Sequence, residues 1–199
     1  LALRELGYTI TYVPTDNLTH QKDKAALMGA RGIQVICRPE IASVEDIFKS
    51  STECFDLILL ARPGNFPHLE SISRLVPQTP VVYFTHDLHH LRTLRTARNL
   101  TDRKERRRLQ QRANLLREQE SEIFSRVDLV LHISEEENRI AQALHPHPAV
   151  VLPPVVTVPA TSGFGRSGQQ VLFVGNFSHS PNITAAEWLT EAIWPRVRA

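Results

Sequence analysis

Residues 55–60 read FDLILL and residues 80–84 read PVVYF, two short apolar runs that decide the fold class. Strands of this kind are typical of a parallel sheet whose two faces are covered by helices. Four further strands are predicted at residues 8–13, 33–37, 127–133 and 149–152. Helical patterns separate the strands and are too long for an antiparallel sandwich. The sequence therefore predicts an α/β protein with a doubly wound, Rossmann-like parallel sheet joined by right-handed crossovers.

The longest predicted helix covers residues 100–126. Its apolar side chains recur at helical spacing and form one stripe, made of Leu109, Ala113, Leu116 and Ile123. A capping serine introduces a shorter helix at 43–49, and Ser134 with Glu137 forms a capping box at the start of another. Three consecutive acids follow Ser134. Acids in a first turn complement the helix dipole, and we prefer that interpretation to acid catalysis or metal binding.

The chain is expected to hold one domain and the beginning of another. Residues 1–152 form the first, residues 153–169 are a linker rich in proline, serine, threonine and glycine, and residues 170–199 open the second. There a predicted strand, a loop and a helix start resemble the first turn of a second Rossmann-like domain. We expect the sequence to be a piece of a larger protein, because a helix tail precedes the first predicted strand and a helix runs into the last residue.

Composition favours a cytoplasmic protein. In 199 residues, 42% of them apolar, no run approaches the length of a membrane-spanning helix and no secretory signal is visible. Cys37 and Cys54 are expected to be reduced core thiols.

Ten of the 23 lysine and arginine residues fall within residues 92–117, from Arg92 to Arg117. We call this stretch the basic segment. It is either a solvated helix surface, a contact for an anionic membrane or an acceptor, or a nucleic-acid surface. The last is the least favoured, because the segment has no aromatic side chain on which bases could stack.

Polar residues follow the predicted strands, at the sheet edge where ligands bind in open parallel sheets. Arg62 and Asn65 follow the strand at 55–60, and the sequence THDLHH follows the strand at 80–84. His86 and Asp87 in that sequence form the sharpest local signal, since a histidine there can donate to a sugar hydroxyl or to a developing phosphate charge. A structural role for these histidines is the alternative. We expect no metal at His89 and His90, because the spacing of known zinc sites is missing, and we expect structural roles for His20, His132, His145 and His147.

Residues 175–182, GNFSHSPN, resemble a turn that holds a phosphate at a helix start. Gly175 allows close backbone approach, Ser180 caps the helix, and Pro181 suits its first position. Neither GxGxxG nor GxxxxGK[ST] is present, which lowers the odds of a nicotinamide enzyme or a P-loop nucleotidase.

Four segments in this order resemble bacterial group 1 glycosyltransferases of family 4, which have the GT-B fold of two Rossmann-like domains. They are PVVYFTHDLHHLRTLR, SRVDLVLHISEEE, VLPPVV and VLFVGNFSHSPNITAAEWLTEAIWPRV. The resemblance implies that the N-terminal domain holds the acceptor and that the C-terminal domain holds the nucleotide-sugar donor in a cleft between them. It also implies that His86, with Asp87, reaches the donor sugar and that Arg62 and Asn65 lie on the acceptor side.

In the second domain, the resemblance places Gly175 and Asn176 near the donor diphosphate, with Ser178 and His179 in the same loop. Phe177, Ser178, His179 and Asn182 stand where many relatives have arginine and lysine, so the diphosphate contact would fall to backbone N–H groups. The family's Glu-x7-Glu motif and the glycine-rich loop after its first strand are expected outside this sequence.

The activity implied is transfer of a hexose from a nucleotide sugar to a glycan, lipid-linked or protein acceptor, with retention and with neither cofactor nor metal. Cell-envelope polysaccharide biosynthesis is the usual setting of such enzymes, and the basic segment would meet the inner face of the membrane. This fragment is expected to be inactive alone. Two alternatives stay open: a non-catalytic acceptor- or lipid-binding scaffold, and a nucleotide-sugar epimerase of GT-B-like fold.

Overall fold

A computed structural model of the chain describes residues 2–15, 18, 22–50, 55–154, 171–178 and 180–198. The chain divides into two compact units, Leu1–Val155 and Val156–Ala199. Within the described residues there are six short strands: β1 (Thr11–Tyr12), β2 (Gln34–Val35), β3 (Ile58–Ala61), β4 (Val81–Phe84), β5 (Leu129–His132) and β6 (Ala149–Val151).

Helices alternate with these strands in the first unit. They are α1 (Ala2–Glu5), α2 (Lys22–Gly29), α3 (Val44–Ser50), α4 (Phe66–Leu75), α5 (His89–Arg98), α6 (Arg103–Arg126) and α7 (Glu135–Leu144), with a 3-10 turn at Pro63–Asn65. The second unit contains α8 (Ser180–Trp188), a π-helical turn (Leu189–Ile193) and α9 (Trp194–Arg198).

The strands form two parallel sheets. One sheet has the order β3-β4-β5-β6, and the other, in the part of the chain that the structure describes, consists of β1 and β2. The prediction of an α/β protein with parallel strands flanked by helices is confirmed. The continuous sheet that we expected is interrupted between β1 and β3.

The main core lies where α6 and its neighbours pack on the four-stranded sheet. Tyr83, Ile123, Phe124 and Val130 are almost completely buried there. A smaller cluster is formed by Leu18, Ile41 and Ile47. The helix that we predicted at 100–126 begins at Arg103, because the Asp102 carboxylate accepts hydrogen bonds from the N–H groups of the first turn.

The prediction of a strand after residue 169 is wrong for the described part of that segment. No strand is present in residues 171–176, and Leu172 and Val174 are 85% and 82% exposed. A single strand needs neighbours for its backbone hydrogen bonds, and the described residues of the second unit offer it none. No helix in the described part of the chain is both long and apolar enough to cross a membrane.

Candidate functional site

The loop after β3 places Arg62 at the carboxyl end of the sheet in an uncommon backbone conformation. The φ angle of Arg62 is 69°, in the left-handed region that side chains other than glycine seldom adopt. Its N–H still reaches the carbonyl oxygen of Phe84 on β4, at 3.4 Å. The Asn65 side-chain amide donates to the Ala61 carbonyl at 2.5 Å and so braces this loop. Arg62 is therefore held beside the end of β4.

The loop after β4 places His86 in the same way. Its φ angle is 57°, and its ring rests on Phe84 with 4.3 Å between the ring centres. The preceding Thr85 is buried, and its N–H donates to the Leu131 carbonyl of β5 at 3.1 Å. Two adjacent strands thus end in residues with strained backbones, and strain of this kind concentrates at functional sites.

Electrostatics keeps the His86 imidazole neutral near pH 7. Partial burial lowers its pKa, and the positive charge of Arg62 lowers it further, whereas the negative charge of Asp87 raises it. A neutral imidazole has one N–H donor and one lone pair. It can therefore donate a hydrogen bond to one hydroxyl group and accept one from another.

Asp87 turns toward α5. Arg92 donates to one Asp87 carboxylate oxygen at 2.8 Å, and His89 Nε2 lies 3.1 Å from the other. Burial lowers the pKa of His89, although Asp87 opposes the shift. In these contacts Asp87 positions the start of α5.

The residue that sequence analysis missed is Glu120 of α6, which is only 1% exposed. Its carboxylate accepts hydrogen bonds from the N–H groups of His89 and His90, at 2.7 and 3.3 Å, and lies 2.5 Å from His90 Nδ1. A carboxylate from another helix thereby caps α5. The sequence contains a signal for the burial of Glu120, because this residue lies on the apolar stripe of α6 at helical spacing from Leu116 and Ile123.

His89 and His90 therefore face one carboxylate each. Within the described ranges, no group of three or more histidine, cysteine or acidic side chains is arranged to hold a metal ion.

The loop after β5 starts α7 with the Ser134 half of the predicted capping box. The Ser134 hydroxyl accepts a hydrogen bond from the Glu137 N–H at 3.2 Å. Burial raises the pKa of the Glu137 carboxyl, and the neighbouring charges of Asp87 and Glu120 add to this shift, whereas the N–H of Leu88 opposes it. Glu137 thus belongs to the same polar cluster as Asp87 and Glu120.

The basic segment includes most of α5 and most of α6. Several of its arginines hydrogen-bond or pair with other groups of the protein. Arg106 donates to the Leu100 carbonyl through two nitrogens and so ties the end of α5 to α6. Arg92 pairs with Asp87, and Arg108 pairs with Glu105 at 3.0 Å. The expected membrane or acceptor contact stays a prediction.

In the second unit, the loop at residues 175–178 is held by its own side chains. The Asn176 side-chain oxygen accepts from the Ser178 N–H at 2.9 Å, and the Asn182 amide donates to the Asn176 carbonyl at 3.0 Å. A Cβ atom at Gly175 would lie 2.9 Å from the Phe173 ring, so a larger residue there would require that ring to shift. The Ser178 N–H would reach a phosphate only if the Asn176 side chain turned away. His179 lies outside the described residues.

No protein-family model, curated protein or solved structure matches this chain. Its function is therefore inferred from its own residues, and in the first unit these are Arg62, Asn65, His86 and Asp87 at the carboxyl ends of β3 and β4.

The expected structural role of His132 and His147 agrees with their contacts. Their Nε2 atoms are 3.0 Å apart, and both rings lie against Phe124. His147 Nδ1 lies 2.5 Å from the His145 carbonyl, which only accepts, so Nδ1 carries the proton and Nε2 accepts from His132. This arrangement requires the His147 imidazole to be neutral, and a second proton on His132 would sit on Nδ1, which is buried without a hydrogen-bond partner.

We expect acid to destabilise the first unit through this pair. Burial, with a smaller effect of His147, lowers the pKa of His132 to about 4. In the unfolded chain His132 binds a proton below about pH 6.5, whereas in the folded chain it does so only near pH 4. Its contribution to the free energy of unfolding is therefore complete above pH 6.5 and falls as the pH is lowered from 6.5 to 4. The expected loss is about 3 kcal/mol, measured by urea unfolding at several pH values. In the His132→Gln protein the free energy of unfolding should change less with pH over this interval. An equal pH dependence in both proteins would contradict the assignment.

Proposed function

We propose that this chain is the acceptor-side part of a GT-B glycosyltransferase that transfers a hexose from a nucleotide sugar to an acceptor, with retention. The observation that carries the proposal is the pair Arg62 and His86. Both have positive φ angles, both end adjacent parallel strands, and both line one cavity in the first unit. The resemblance of four sequence segments to group 1 glycosyltransferases supports the same assignment.

The chemistry of the pair suits a sugar hydroxyl group next to developing negative charge. The neutral His86 imidazole donates one hydrogen bond to a hydroxyl, and Arg62 supplies a fixed positive charge beside it. In glycosyl transfer from a nucleotide sugar, negative charge develops on the leaving diphosphate, and donors already in place stabilise it at little reorganisation cost. In this proposal His86 contacts the sugar and Asp87 positions the start of α5.

The proposal is tested by the release of free nucleoside diphosphate when the intact protein is supplied with a panel of nucleotide sugars and acceptors. Release that depends on an acceptor is expected. Interconversion of the nucleotide sugar without release would indicate an epimerase, and binding without turnover a scaffold. Either result would contradict the proposed transferase.

His86→Ala in the intact protein is expected to lower kcat at least about tenfold, because one transition-state hydrogen bond is lost. The matched control is His145→Ala, at the opposite end of α7 from Ser134, which should keep the wild-type kcat. Unchanged turnover by a folded His86→Ala protein would remove His86 from the site.

A further inference from the structure

The loop that carries His86 is short and is fixed to the sheet at its first residue. Residues 85–88 alone connect the end of β4 to the start of α5. The N–H and the hydroxyl of Thr85 both donate to the Leu131 carbonyl of β5, at 3.1 and 3.2 Å, and Thr85 is 1% exposed. The strand end of the loop therefore keeps the position of the sheet.

The helix end of the loop is fixed to α6. A helix start leaves N–H groups without partners inside the helix, and a side-chain acceptor just before the first turn commonly takes them. Leu88 holds that position and has no acceptor in its side chain, and α5 contains no acidic residue. Glu120 of α6 replaces this cap, because its carboxylate accepts from the N–H groups of His89 and His90 at 2.7 and 3.3 Å.

The residues that follow His86 in the loop are fixed as well. Asp87 accepts a hydrogen bond from Arg92 at 2.8 Å and lies 3.1 Å from Nε2 of His89, both of which belong to α5. The side chain of Leu88 belongs to the main core and is 1% exposed. The position of α5 therefore determines how much of the span is left for His86.

His86 adopts an uncommon backbone conformation within this span. Its φ angle of 57° lies in the left-handed region, which a residue other than glycine adopts only at a cost in free energy. Such a conformation persists where the surrounding structure enforces it. Fraying of the first turn of α5 would add free residues to the loop and would let His86 return to an ordinary backbone conformation.

We propose that Glu120 is a positioning residue for His86: by capping α5 from α6 it keeps the loop at four residues and so holds the His86 backbone in the left-handed conformation. In that conformation the imidazole rests on Phe84 and lies close enough to Arg62 for the charge to lower its pKa. That the imidazole contacts a substrate rests on the proposed function. The coupling between Glu120 and the His86 backbone does not.

The test is a double-mutant cycle on stability and needs no substrate. His86→Gly and His86→Ala both remove the imidazole, but only glycine adopts a φ of 57° without strain. In the otherwise unchanged chain, the equilibrium constant for unfolding of His86→Gly is expected to be about fivefold smaller than that of His86→Ala. Urea unfolding measures both constants. The same pair is then measured together with Glu120→Gln, which keeps the shape of the side chain but loses one of its two acceptor oxygens.

In the Glu120→Gln background the fivefold difference between glycine and alanine is expected to disappear or to reverse, because the frayed start of α5 releases the backbone at residue 86. The ratio is taken within each background, so the general loss of stability caused by Glu120→Gln cancels. The matched control is Glu118→Gln, on the exposed side of the same helix, which should keep the fivefold ratio. A fivefold ratio in the Glu120→Gln background would overturn the proposal.

A second measurement uses the two His86 variants alone. Coupling between two sites is reciprocal, so a residue that adopts the left-handed conformation easily should also stabilise the cap. Exchange of the His89 and His90 backbone amides, followed by NMR, is expected to be about fivefold slower in His86→Gly than in His86→Ala. The control is the Glu105 amide, which the Asp102 carboxylate caps at the start of α6 and which should exchange equally in both variants. Equal exchange at His89 and His90 would overturn the proposal, whether or not the Glu120→Gln protein folds.

Discussion

Replacement of Glu120 by alanine is expected to lower the free energy of unfolding of the chain by about 3–5 kcal/mol. The carboxylate is 1% exposed, accepts hydrogen bonds from two backbone N–H groups at the start of α5, and lies 2.5 Å from His90 Nδ1. Alanine removes the acceptor for all three donors and leaves them in a site that water does not reach. Urea unfolding followed by circular dichroism measures the loss.

Glu118→Ala is the matched control, because Glu118 lies on the same helix and is exposed. It should change the unfolding free energy by no more than about 0.5 kcal/mol. Glu120→Gln keeps one acceptor oxygen and should fall between the two, with a loss of about 1–3 kcal/mol. Equal stabilities of Glu120→Ala and Glu118→Ala would show that the cap on α5 contributes nothing.

Phe124→Ala is expected to cost a similar amount, about 3–5 kcal/mol, for a different reason. The ring is 1% exposed and packs between Tyr83 of β4, at 6.2 Å between ring centres, and the imidazoles of His132 and His147. Alanine leaves a cavity that the rigid sheet cannot close, and the histidine pair loses the surface against which it rests.

Leu115→Ala serves as the control for the Phe124 variant, since Leu115 lies on the same helix and is 57% exposed. Its cost should stay below about 1 kcal/mol. Phe124→Leu, which refills most of the volume, should cost about 1–1.5 kcal/mol. Thermal unfolding ranks the three variants, and a Phe124→Ala protein as stable as Leu115→Ala would contradict the position of the core.

The strands of the four-stranded sheet were predictable because short apolar runs bounded by turn residues seldom form any other secondary structure. The strands β3 to β6 lie within the predicted runs or extend one residue beyond them, as Ala61 does. What the pattern did not reveal was the place of each strand in the sheet. The run at 55–60 predicted a strand covered on all sides, but β3 stands at an open edge with Leu59 half exposed.

The candidate site was predictable only in part. His86 and Arg62 were found because the carboxyl ends of parallel strands lie at one edge of the sheet. Nothing in the sequence indicates their positive φ angles. Glu120 was not predicted as part of the site, because it lies 30 residues from His90 and among charged residues typical of a solvated helix. Its place on the apolar stripe of α6 indicates burial, but that spacing does not specify the packing of α5 on α6, which gives the carboxylate its partners.

The left-handed backbone of His86 governs how a saturation library at this position should be interpreted. Glycine and asparagine tolerate a φ of 57°, whereas valine and isoleucine would be strained by at least about 1 kcal/mol whatever their chemistry. Replacements scored for melting temperature will therefore be ordered by backbone preference, with β-branched residues last. The same library scored for turnover will be ordered by hydrogen-bonding ability, and glycine, which tolerates the backbone but has no side chain to donate, is the replacement that separates the two orders.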